Sequence, residues 1–212
     1  MMRDAWLPLV CSVLACFLVW WGTEHVQWGT EPDKPIHTVN RLVSAISGAP
    51  YSVASGDKRP TVVAAKADNT LALIDLPGIS RETLGQHWTR LNPTERDEFM
   101  ALFAQLLIHV AFPQSATFFR ELKITFTDER IRSHQATVST YVEHPIEGKI
   151  DIDYRLIRQD KGWLIYDVQL DGVSLSRNLR AQFQQIIHQG SYAELLRRMR
   201  EKLEHAITPS AS

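Results

Sequence analysis

The sequence predicts an α+β fold, with one twisted antiparallel sheet of about four strands covered on one face by amphipathic helices. Two observations predict it. Apolar residues recur at helical spacing from 36 to 110, alternate at period two from 122 to 170, and return to helical spacing after Gly172. The alternating segments are joined by short polar stretches, which favours antiparallel neighbours over long crossovers. Helices, then strands, then helices is the α+β order. A chain of 212 residues holds one sizeable core.

The N-terminus stands apart from that body. From Ala5 to Trp21 the chain is apolar except for Ser12, with Arg3 just ahead. The run falls short of the roughly 20 residues of a spanning helix, so it reads as a secretory signal peptide, with an uncleaved membrane anchor as the alternative. Residues 1–28 are thus leader and start of linker, 29–207 the functional domain and 208–212 a tail. Either reading places the body outside the cytoplasm. Cys11 and Cys16 both lie in the leader, so the body has no thiol for catalysis or metal binding.

Along the body, Ile36, Val39, Leu42, Val43 and Ile46 mark a first helix. A short helix is expected within Thr61 to Leu76, broken by Pro77 and Gly78. Ser80 then serves as N-cap for a helix from Arg81 to Leu91. Asn92-Pro93-Thr94-Glu95 is a stronger start: Asn caps, Pro takes the first helical position and Glu reaches back. That helix carries Phe99, Leu102, Phe103, Leu106, Leu107 and Val110 on one face, and Pro113 is expected to stop it. Strands follow over Leu122 to Thr127, Ala136 to Val142, Ile150 to Ile157 and Trp163 to Leu170. Leu175, Leu179, Phe183, Ile186 and Ile187 form the next helical face. Ser191 and Glu194 form a second capping box before Leu195, Leu196, Met199 and Leu203.

Chemistry is sparse. The net charge of −1 supplies no long-range attraction for nucleic acid. His87, His109, His134, His144 and His188 show no metal-ligand spacing, so no metal or cofactor is expected. Asp151 and Asp153 project from one strand face, which alternation assigns to water. Asp167 lies among apolar residues and reads as a structural hydrogen-bond acceptor at a sheet–helix junction. Ser174 reads as a helix cap. Arg197, Arg198, Arg200 and Lys202 read as a solvated face, with a docking surface as the minor alternative. Large apolar residues on helices and sheet together leave room for an apolar cavity.

Three blocks carry a family resemblance. They are Leu84-Gly85-Gln86-His87-Trp88 with Pro93, Glu95, Arg96, Phe99, Phe103, Leu106 and Leu107; Ile152 to Leu156 with Gly162-Trp163 and Tyr166-Asp167-Val168; and Gly172 to Leu175 with Asn178, Arg180, Gln182 and Phe183. In this order they resemble the periplasmic phospholipid-binding proteins of the MlaC and toluene-tolerance type, the soluble component of an ABC lipid-transport system. The chain departs from the family at Leu179, where a tyrosine is usual. The resemblance implies a cone like that of the nuclear transport factors with an added helical part. It also implies a non-enzymatic periplasmic lipid carrier that serves outer-membrane lipid asymmetry. The implied partners are a phospholipid, an MCE-type inner-membrane protein with its permease and ATPase, and an outer-membrane lipoprotein. A hopanoid-like lipid is the alternative cargo. The residues expected to line or border the lipid cavity are Trp88, Phe99, Phe103, Leu107, Tyr154, Tyr166, Val168 and Phe183. Two rival readings stay open: an enzyme on the same cone with Asp153 or Asp167 as base, and an anchored interaction module docking through its last helix.

Overall fold

The computed structural model of the chain describes residues 34–47, 68–119, 122–160 and 162–208. The apolar leader, the expected linker up to residue 33, the start of the helix expected within Thr61 to Leu76, and the end of the tail lie outside the described residues.

Five strands form one antiparallel sheet in chain order: β1 (Thr125–Arg132), β2 (Gln135–His144), β3 (Gly148–Gln159), β4 (Gly162–Leu170) and β5 (Val173–Ser174). Register follows from alternation. Ala136 pairs with Leu156, Val138 with Tyr154 and Thr140 with Ile152, so the buried residues of β2 and β3 share one face. A bulge at Tyr166 breaks the β3–β4 register between Arg155 and Leu156. The two-residue β5 is a departure from the four expected strands. Asp171 and Gly172, at φ 47° and 80°, turn the chain back tightly to make it. β1 also begins and ends later than expected. Leu122 and Ile124 do pack on the core, but as a lead-in, while the strand itself is a polar sheet edge.

The α-helices described from end to end are α1 (Pro35–Ser47), α2 (Leu76–Leu84), α3 (Gln86–Arg90), α4 (Pro93–Leu106), α5 (Phe112–Phe119), α6 (Leu175–Gln189) and α7 (Tyr192–Ile207), and residues 68–71 are helical as well. Pro77-Gly78 starts a helix instead of breaking one. Asp75 caps α2 by accepting from the Gly78 N–H at 3.1 Å, with Pro77 in the first turn, where a missing N–H costs nothing. Ser80, the expected cap, is buried inside α2. The break comes at Gly85, φ +54°, where an added Cβ would meet the Arg180 guanidinium at 3.1 Å.

Pro113 does not stop the central helix. A π-helical turn, Leu107–Ala111, precedes it, with the Phe112 N–H donating to the Leu107 carbonyl. A proline clashes with the carbonyl four residues back in a regular helix, and the wider turn relieves that conflict. His109 therefore sits within this helical run, bonded to Gln105 at 3.1 Å, and not near a helix end. The Asn92 capping box is complete, with Glu95 N–H to Asn92 Oδ1 at 2.9 Å and Asn92 N–H to Glu95 Oε2 at 2.8 Å. Ser191 caps α7 alone, because Arg197 and Arg198 draw the Glu194 carboxylate away.

Two apolar clusters result. The first joins α1 (Val39, Leu42, Ile46) to the sheet face of Val138, Ile152, Tyr154, Leu156 and Ile165, with Phe112 from α5. Thr38 fixes α1 by donating to the Trp163 carbonyl at 3.2 Å. The second joins α2, α3, α4, α6 and α7 through Leu84, Trp88, Phe99, Phe103, Phe183, Ile187, Leu195 and Met199. Phe99, Phe103 and Phe183 pack with ring centroids 5.7, 6.1 and 6.2 Å apart.

Candidate functional site

Between the two clusters the packing opens into a chamber of about 460 Å³. Protein interiors leave few voids larger than a water molecule, so a space of ligand-site size is a built feature. Its floor is the buried face of β3 and β4: Ile152, Tyr154, Ile165, Val168 and Leu170. Leu42, Val43 and Ile46 of α1 form one wall. Phe103, Leu107 and Ala111 with Phe112, Ser115, Phe118 and Phe119 form the second, and Leu175, Ser176 and Leu179 of α6 the third. Pro93–Phe119 is long and apolar enough to cross a membrane by length and composition alone. In this fold it instead serves both clusters and the chamber wall. The π turn places Leu107 and Ala111 on that wall.

Polar groups around the chamber are few. The Asp167 carboxylate accepts from the Ser176 N–H at 3.1 Å and from the Ser176 hydroxyl at 2.8 Å, locking β4 to the first turn of α6. Ser174 caps the same helix by accepting from the Arg177 N–H at 3.2 Å. Burial pushes the Tyr154 phenol up to about 12, and a hydrogen bond with Thr140 offsets part of that rise. A wall of this kind offers dispersion and water exclusion. Among the described residues no three His, Cys, Asp or Glu side chains gather as metal ligands.

Of the eight residues expected at the cavity, Phe103, Leu107, Tyr154, Tyr166 and Val168 do line the chamber. Trp88, Phe99 and Phe183 do not. They are buried in the second cluster, where Phe99 packs tilted and Phe183 edge-on against Phe103. Their large rings fill space between helices and leave none. The lining that sequence reasoning missed includes Phe118, Phe119 and Leu179. Phe118 and Phe119 follow Pro113, which by sequence alone reads as a helix end, whereas Leu179 carries a signal in its departure from the usual tyrosine.

The other candidates lie elsewhere. Asp151, exposed and paired with Lys149 at 2.8 Å, and Asp153, half-buried, both lie on the sheet face turned away from the chamber. On α7, Arg197 pairs with Glu194 and Glu201, Arg198 with Glu194, and Arg200 with Glu98 of α4.

A family model described as MlaC protein matches residues 38–201. The fold is similar to that of a phospholipid-binding protein from Ralstonia solanacearum solved with a phospholipid. The TM-score is 0.64 at 21% identity, covering 82% of this chain and 96% of that one. A putative NTF2-like transpeptidase from Campylobacter jejuni matches with a TM-score of 0.35 at 13% identity, over 60% of this chain and 91% of that one. No curated protein matches the chain.

Proposed function

The chain belongs to the MlaC family, and we propose that it is a non-enzymatic periplasmic carrier that holds the acyl part of a phospholipid in the apolar chamber. The observation that carries this reading is the chamber itself, about 460 Å³ between sheet and helices with an overwhelmingly apolar lining. The phospholipid bound by the Ralstonia solanacearum protein of the same fold supports the choice of cargo. The two hydrogen bonds that Asp167 Oδ1 accepts from Ser176 support a structural role for this carboxylate at the start of α6.

The energetics suit a shuttle. Two acyl chains contain on the order of thirty methylenes, and hiding them from water involves roughly 24 kcal/mol. That exceeds any non-covalent affinity, but a lipid in a bilayer is already out of water. The chamber has only to match the bilayer, so loading and release are nearly isoenergetic. Direction then comes from partners: an MCE-type inner-membrane protein with its permease and ATPase on one side, and an outer-membrane lipoprotein on the other. The chain's own residues supply shape and dryness.

The test is to express the full chain in bacteria, purify it without added lipid, and identify what organic extraction releases. The expected result is glycerophospholipid in near-stoichiometric amount. A folded but lipid-free protein, or a hopanoid as the sole cargo, overturns the proposal.

A further inference from the structure

The sheet face turned away from the chamber carries a second recess, of about 340 Å³. Its charged lining is Arg130 and Arg132 of β1, Arg155 of β3 and Asp153. Thr137, Gln135 and Gln169 add neutral hydrogen-bonding groups. The register gathers them. Arg130 stands opposite Thr137, and Thr137 opposite Arg155, so one rung places a hydroxyl between two arginines. Asp153 opposite Gln169, and Arg132 opposite Gln135, continue the set on either side. Adjacent strands lie about 4.8 Å apart, which puts the Arg130 and Arg155 backbones about 10 Å apart, within reach of one anion from both sides.

Three guanidiniums share this recess with one carboxylate, in a chain whose net charge is −1. Asp128 pairs with Arg130 at 2.9 Å from outside the lining. Arg132 and Arg155 have no carboxylate or hydrogen-bond partner among the described residues. A guanidinium fork matches phosphate oxygens two at a time, and neighbouring forks that repel one another are stabilised by an anion between them. We propose that this recess is an anion site for a phosphate group, carried either by a lipid headgroup at a membrane surface or by a soluble phosphate. Tyr166 lines both this recess and the chamber, so the two share a wall. The inference rests on the arginine geometry and not on the lipid reading.

The experiment compares the full chain with the double variant Arg132→Gln/Arg155→Gln. Both side chains are exposed, and substitutions of this kind leave stability nearly unchanged. One arm titrates inorganic phosphate by calorimetry. The other measures co-sedimentation with vesicles of phosphatidylcholine alone or with one-third phosphatidylglycerol. The apolar N-terminal segment is common to both proteins and cancels. Two arginines near an anionic surface change partitioning by about thirtyfold, so the double variant loses up to that much of the preference for anionic vesicles. Phosphate binding that the variant abolishes assigns the site to a soluble group. A lost vesicle preference without phosphate binding assigns it to a headgroup. Wild type and variant behaving alike towards both probes overturns the site.

Discussion

Replacing Asp167 separates a structural carboxylate from a catalytic one. In the wild type its Oδ1 accepts two hydrogen bonds from Ser176, and Asp167 is 5% exposed. Asp167→Ala leaves the Ser176 N–H buried without that acceptor. The Ser176 hydroxyl retains Ser174 Oγ at 3.2 Å as an alternative partner. Bonds to a charged group contribute roughly 1.5–3 kcal/mol each, so with the hydroxyl partly rescued the loss is about 3 kcal/mol. For a domain of this size that lowers Tm by about 6–12 °C. Asp167→Asn keeps the oxygen acceptor and costs about 1 kcal/mol. Thermal unfolding followed by far-ultraviolet circular dichroism reads both variants. A double cycle with Ser176→Ala shows strong non-additivity, because each change removes the same bonds. The reasoning fails if the alanine variant melts with the wild type, or if asparagine is as damaging as alanine. A base role predicts another pattern, in which asparagine folds normally and function is lost.

Other substitutions test single elements. Gly85→Ala forces a side chain onto φ +54° and against the Arg180 guanidinium, so it lowers stability by about 1 kcal/mol or more in urea unfolding. Asn92→Ala removes the side-chain arm of the capping box, the acceptor for the Glu95 N–H, leaves the backbone N–H at 92 donating to Glu95, and costs about 1 kcal/mol by the same measurement. Leu84→Ala, at a fully buried position in the second cluster, costs about 2–5 kcal/mol. Tyr154 and Tyr192 are both pushed up to about 12, chiefly by burial. Folding therefore favours the neutral phenols: this stability is complete below pH 10 and is lost as pH rises through 12. Absorbance at 295 nm, read as the difference between wild type and Tyr154→Phe/Tyr192→Phe, should show these two phenols ionising only near pH 12; their ionisation near pH 10 contradicts the burial.

The parts legible in the sequence are those where one pattern had one physical cause. β2 to β4 alternate because one face is buried, and Asn92 to Glu95 starts a helix because both reciprocal bonds form. β1 was misplaced because an edge strand of Asp128, Glu129, Arg130 and Arg132 has no buried face to impose alternation. Pro113 misled because the π turn that accommodates it leaves no residue-type signature. The chamber was harder still. Apolar periodicity reports which residues leave water, not whether they meet one another afterwards. Phe99 and Phe183 meet Phe103 and close the space, whereas Leu107 and Val168 face it. Only the three-dimensional register distinguishes the two.

The proposed carrier holds the acyl chains in the chamber between β3–β4 and the helices. Native mass spectrometry of the full chain beside Val168→Trp and Ala111→Trp tests it most directly, because each change fills the chamber without burying a charge. The expected result is a phospholipid mass on the wild type that is lost or much reduced in both variants, with their circular dichroism unchanged. Folded variants that keep the full lipid mass would contradict it.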